Sequence, residues 1–250
     1  MKNSDVQQVI HFMSGVNQVR ETFYLFLSRV FSREADMDFL DDALKILRFL
    51  KGIPEFGEMS QESDIQKGQE LLKEFFMKIE GARTEETLSH LSREYANSFL
   101  GVGEKTAALC ESVYVGHSGS LFQEPYFQVK KTYQTINMEK SEHYSEPDDH
   151  LSVELAYMAT LCRLIIDSGD NGGAQLGYLR SQREFTQKHL IRWLPALLER
   201  LKEINTSTFY KGWSHILNGF TKVDLTLIDS LIEELEKDGS EIESEKRERR

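Results

Sequence analysis

Apolar residues recur three and four positions apart along nearly the whole chain, a period that puts them on one face of an α-helix and scatters them across both faces of a β-strand. Between residues 150 and 168 the stripe is Leu151, Leu155, Met158, Cys162 and Ile165. Residues 4–32 repeat it with Val9, Met13, Val16, Phe23, Leu27 and Val30, widened by Phe12, Phe26 and Phe31. Further helices are expected from Ala35 to Leu50, closed by Gly52 and Pro54, from Ser60 to Ile79, closed by Gly81, and from Thr84 to Gly101, where Thr-Glu-Glu-Thr suits a helix start. Glu124 to Met138 returns to the helical period, with Asn137 suited to a left-handed end. Leu176 to Ile204 follows, with Pro195 as a kink or a new start, and then Phe209–Leu217 and Leu225–Leu235. No strand-like alternation persists and no fixed-period repeat appears, so the fold class is all-α.

Two stretches break the pattern. Residues 101–123 carry four glycines and read as a long ordered loop, a kind of segment that is usually functional. Residues 237–250 are almost entirely charged and read as a disordered, frayed tail.

With 250 residues, 40% hydrophobic, the chain can bury a real core. Thirty Lys and Arg against 41 Asp and Glu give a net charge of -11, which argues against a nucleic-acid binder and favours cationic partners. Cys110 and Cys162 have no metal-ligand spacing and are expected to stay reduced. Neither an apolar leader nor a membrane-length window is evident, and we expect a cytoplasmic protein with no membrane insertion.

The densest polar stretch is Glu146-Pro147-Asp148-Asp149-His150, with Glu154 one turn on. Pro147 suits a first helical turn, and Asp148 and Asp149 put negative charge where unpaired N–H groups point. Capping, a binding surface and a metal site are all open readings of Asp148, Asp149, His150 and Glu154, since His and Glu four apart share a face. Asp148 is the expected cap. Glu111, Tyr114, Glu124 and Tyr126 place acidic and aromatic groups in or beside the long loop, a combination that suits a cationic peptide.

Catalytic templates fail: there is no HExxH, GxSxG or GxxxxGK[ST]. Gly101-Val102-Gly103-Glu104-Lys105-Thr106 has Glu where a phosphate loop has Lys, and no strand precedes it. We therefore expect no enzyme, no catalytic residue and no tightly bound cofactor or metal. The rival readings are a metal-dependent hydrolase using Asp148, Asp149 and His150, and a generic helical adaptor.

Glu146-Pro147-Asp148-Asp149-His150-Leu151-x-x-Glu154-Leu155-x-x-Met158 resembles the signature of the TorD/DmsD family of molybdoenzyme maturation chaperones. Arg93–Leu100, Glu111–Tyr114, Glu124-Pro125, Tyr133, Phe185–Pro195 and Phe209-Tyr210 are similar to further family segments in the same order. Asn137 stands where the family usually has Gly, which leaves the turn feasible. The resemblance implies a larger N-terminal helical lobe (about 4–138), a hinge (about 139–146) and a smaller C-terminal lobe (about 147–236), together one TorD-like domain over 1–236. It implies binding of the twin-arginine signal peptide or apo form of a molybdenum-cofactor oxidoreductase, so that export waits for cofactor insertion. It also implies weak GTP binding in some members, and a monomer or domain-swapped dimer. A leader with two guanidiniums and an apolar run needs carboxylates beside an apolar groove, and the expected peptide-binding residues are Tyr114, Glu124, Tyr133, Glu146, Pro147, Asp148, Asp149, His150 and Glu154.

Overall fold

The computed structural model describes residues 3–52, 63–79, 84–204 and 207–248, with side chains described over 12–50, 63–79, 84–204 and 207–237. Helix α1 (Asn3–Ser32) buries Met13, Phe23, Leu27 and Val30 as its period requires, and Phe26 and Phe31 with them. Phe12 is instead exposed. Helix α2 (Met37–Gly52) starts at Asp36, whose carboxylate accepts the Phe39 N–H at 2.8 Å. The breaks expected at Pro54 and Gly81 lie outside the described residues.

Helix α3 (Ser63–Lys78) is followed by α4 (Glu85–Phe99), capped by Thr84, whose side chain accepts the Thr87 N–H. A short helix α5 (Glu111–Val115) interrupts the expected loop, and α6 (Glu124–Gln134) carries Pro125 in its first turn, where the missing N–H costs nothing. Asn137 does adopt a left-handed conformation (φ 53°), and the Met138 N–H closes back on the Tyr133 carbonyl at 3.0 Å.

Helix α7 (Leu151–Asp167) and helix α8 (Gly172–Phe185) follow, the second capped by Asn171. A π-helical turn at Thr186–Leu190 leads into α9 (Ile191–Glu203), which holds Pro195 in its interior. The sequence pointed to Pro195 as the irregularity; the widened turn comes just before it, where the backbone can adjust ahead of a residue that cannot donate. Helix α10 (Thr208–Glu248) is continuous where the apolar stripe suggested two helices, and it runs through most of the stretch read as a tail. The polar residues that interrupt its stripe are buried and bonded: Asp224 to Arg20 and Tyr24, Asn218 to Asp64.

Among the described residues there is no strand; one isolated bridge pairs Cys110 with His150. α1 packs along α7, α10 along α3 and α8, and α7 along α8, so one apolar core runs from Met13 to Ile232.

Candidate functional site

The Cys110–His150 bridge is the joint that builds the site. Glu111 N–H donates to the Asp149 carbonyl (3.0 Å) and Leu151 N–H to the Leu109 carbonyl (2.7 Å), so the loop entering α5 is laid against the turn entering α7. The Asp149 carboxylate then accepts the Ser112 N–H at 2.8 Å, which caps the neighbouring helix α5 rather than its own. Pro147 opens a turn closed by the His150 N–H on its carbonyl (3.1 Å).

His150, and not Asp148, is the N-cap of α7. Its Nδ1 accepts the Ser152 N–H at 3.2 Å and lies 2.8 Å from Ser152 Oγ, which in turn is 2.6 Å from the Tyr144 hydroxyl. Accepting at Nδ1 puts the ring proton on Nε2. Burial, with Lys140 nearby, lowers the imidazole pKa to about 4. The Pro147 reading shifts accordingly, because the helix starts four residues later than a first-turn proline would set it.

Deeper in, the Glu111, Asp149 and Glu154 carboxyls meet, all three fully buried. His189, on the π-helical turn, donates to Glu111 at 2.7 Å, and the Trp193 indole N–H reaches Glu154 at 3.2 Å. Burial first, and then the charges of Glu111 and Asp149, hold the Glu154 carboxyl well above the usual carboxylate range. The hydrogen bond between Glu154 and Glu111 requires a proton, since two ionised carboxylates can only accept. Tyr133, also buried, donates to the Asp148 carbonyl at 3.0 Å and supports the turn from the α6 side.

Closer to the surface, Lys140 (3.4 Å) and Lys130 (3.8 Å) flank the Asp148 carboxylate. Lys140 also bonds the Glu146 carbonyl, and Lys130 lies over the Tyr126 ring at 5.8 Å. From there Tyr126 packs edge-on against Phe122 and Phe127, both more than half exposed, with exposed Glu124 at the start of the same helix. Phe122 holds a left-handed backbone (φ 59°), a costly conformation for an aromatic residue. Glu146 and Pro147 are half-buried, and half-buried Tyr114 stacks on Trp193.

The residues expected from sequence are thus brought to one region but at two depths. Asp149, His150, Glu154 and Tyr133 are buried and engaged within the fold, while Glu124 faces solvent. His189, Lys130, Lys140 and Phe122 were not singled out for the site. His189 and Trp193 stand four apart, and that spacing was the available signal. Among the described residues no group of three or more His, Cys, Asp or Glu side chains is placed to hold a metal, and no helix is long and apolar enough to cross a membrane.

The family model described as nitrate reductase delta subunit matches residues 59–199. Relatives described as chaperone protein TorD include that of Shewanella pealeana, 25% identical over 225 residues, covering 87% of this chain and 93% of the relative. That of Vibrio parahaemolyticus is 24% identical over 214 residues, covering 85% and 95%. A crystal structure from Archaeoglobus fulgidus, of a proposed redox enzyme maturation protein, aligns at 18% identity and a TM-score of 0.46, over 81% of this chain and 93% of that one. The match over residues 59–199 contains the loop, the turn and the buried carboxyls described above, and the chain belongs to the nitrate reductase delta subunit family, with the TorD chaperones among its relatives.

Proposed function

We propose that this chain is a cytoplasmic chaperone for a molybdenum-cofactor oxidoreductase, binding the enzyme's apo form, its twin-arginine leader peptide or both until cofactor insertion is complete. The observation that carries this reading is the coverage of the TorD chaperones, whose length is matched almost end to end. The leader-binding surface we propose is the strip that runs from Asp148 through Lys130 and Tyr126 to Phe122 and Phe127, with Glu124 beside it. Exposed aromatic rings suit an apolar run. Glu124 is open to a guanidinium, and an arriving arginine competes with half-exposed Lys130, 3.8 Å away, for the largely buried Asp148 carboxylate. Buried Asp149, His150, Glu154 and Tyr133 serve this surface by holding the turn that presents Asp148 and Glu146. The 139–146 segment, which contains no helix, is the proposed hinge between the lobes and the place where a domain-swapped dimer opens.

The test is calorimetric titration of a twin-arginine leader peptide and of its twin-lysine counterpart. The arginine peptide is expected to bind about tenfold tighter or more, because lysine cannot reproduce the fork. Glu124→Gln is expected to weaken binding by roughly one to two orders of magnitude, the weight of a charge-assisted contact of about 1.5–3 kcal/mol. Equal affinities for the two peptides would remove the leader specificity. Co-purification of an apo molybdoenzyme without its leader would then leave the enzyme body as the ligand.

A further inference from the structure

The three buried carboxyls of Glu111, Asp149 and Glu154 meet with unpartnered oxygens at one joint of the fold. Glu111 lies on α5, Asp149 on the turn before α7 and Glu154 on α7 itself, so the cluster spans the joint between the loop and the helix. Oε1 of Glu111, Oε1 of Glu154 and Oδ1 of Asp149 are buried and find no N–H or O–H donor among the protein's groups. With a proton on Glu154, its contact with Glu111 becomes a hydrogen bond; without it, three acceptors face one another out of water.

We infer that Glu111 and Glu154 form a proton-linked latch: one proton shared between them keeps α5 and the loop before it docked on α7, and losing that proton lets this segment open locally while the helical core stays folded.

The surroundings decide the sign. On its far side Glu111 meets His189, which donates to the other carboxylate oxygen. Glu154 has the Trp193 indole N–H, and the Cys110 thiol and Tyr133 phenol face the cluster as neutral groups whose own ionisation burial opposes. Among the described residues no Lys or Arg is bonded to these three carboxyls. Deprotonating Glu154 therefore adds a second or third negative charge to a dry site. Because burial raises the Glu154 pKa in the docked form, docking is fully favoured below the ordinary carboxyl range and is lost as pH rises through the raised value. The opening breaks a local set of contacts: the two backbone bonds of the Cys110–His150 bridge, the Ser112 N–H to Asp149, the His189–Glu111 bond and the stacking of Tyr114 on Trp193. Helix α5 itself contacts α9 and α6, so the packing of α1 on α7 and of α3 on α10 is left in place.

Amide hydrogen exchange of the full chain, from about pH 6 to about pH 9.5, reads this directly at the Glu111, Ser112 and Leu151 N–H groups. After correction for intrinsic exchange, their protection is expected to fall about tenfold per pH unit, the slope of a single released proton, from the start of that range, which already lies above the ordinary carboxyl pKa, and to level off once the raised value is passed. Amides in the middle of α10 keep their protection across the range. In Glu154→Gln, which stays neutral and can still donate to Glu111, the fall is expected to disappear. Glu111→Gln, which removes one of the charges that raise the Glu154 pKa, is expected to make the fall smaller and to end it at lower pH. Protection at all three amides that stays flat in the wild type up to about pH 9.5 would overturn the inference. So would a Glu154→Gln chain that loses protection along the wild-type curve, and the wild-type measurement decides by itself if either variant fails to fold.

Discussion

His150 caps its helix through a ring nitrogen, and it can do so only while that nitrogen carries no proton. The structure enforces this by burying the ring beside Lys140, which lowers its pKa from 6.5 to about 4. The folded pKa lies below the unfolded one, so stability from this site is present above about pH 6.5 and is lost as pH falls towards about 4. The full drop corresponds to at most about 3 kcal/mol. His150→Asn keeps an acceptor suited to the cap without the titration, and it is expected to flatten the acid limb of stability against pH relative to the wild type. Urea unfolding at a series of pH values between about 4 and about 7 compares the two; parallel curves would mean that the acid sensitivity comes from another group, such as buried His215.

At the scale of elements, the crossing of α3 and α10 is as close as the backbone allows. A Cβ at Gly68 would stand 2.5 Å from the Gly212 carbonyl oxygen and 2.6 Å from Ile216 Cγ1, and one at Gly212 would stand 2.7 Å from Leu72 Cγ. Glycine's usual cost in a helix interior is here outweighed by close packing. Gly68→Ala meets backbone that cannot yield without moving a helix, and is expected to cost about 1–3 kcal/mol or more. Gly212→Ala, which meets a movable leucine side chain first, should cost less. Gly15→Ala, on an exposed helical position with open space around it, should stabilise by roughly 0.5–1 kcal/mol. Thermal melts of the three variants check the order, and a neutral Gly68→Ala would show that the helices can separate without loss.

These elements also show what a sequence reveals. Stripes such as Leu151–Ile165, the Thr84 cap and the left-handed Asn137 are local, and were legible. The continuity of α10 was not, because Asp224 and Asn218 look like a polar break until Arg20 and Asp64 reach them from far away in the chain. The depth of the site was hidden for the same reason. The Asp149 carboxylate accepts an N–H 37 residues away and Glu111 a histidine 78 residues away, and nothing in Pro147-Asp148-Asp149-His150 itself says that Asp149 faces inward.

At the scale of the whole molecule, the first and last long helices are tied by a single buried network. Arg20 donates from Nε to Asp224 Oδ1 at 2.6 Å and from Nη2 to Oδ2 at 2.9 Å, a two-pronged pair, and Tyr24 adds a hydroxyl to the same carboxylate at 2.6 Å. Gln182 from α8 and Asn17 accept two further guanidinium N–H groups. Arg20 and Asp224 are separated by 204 residues and are 3% and 0% exposed, so the pair forms only once the chain has closed on itself. Its desolvation cost offsets much of the attraction while both partners are present, but removing one leaves an uncompensated charge in the core. Arg20→Met is therefore expected to destabilise by about 3–5 kcal/mol, a large share of the stability of a typical domain. Combining it with Asp224→Leu takes away the orphaned carboxylate, and the double variant should recover most of the loss, although the Tyr24 hydroxyl and Gln182 Oε1 then lose their partners. Urea unfolding of the wild type, the two single variants and the double variant gives the coupling; strictly additive losses would mean that the network contributes packing alone and does not join the two ends of the chain through its charges.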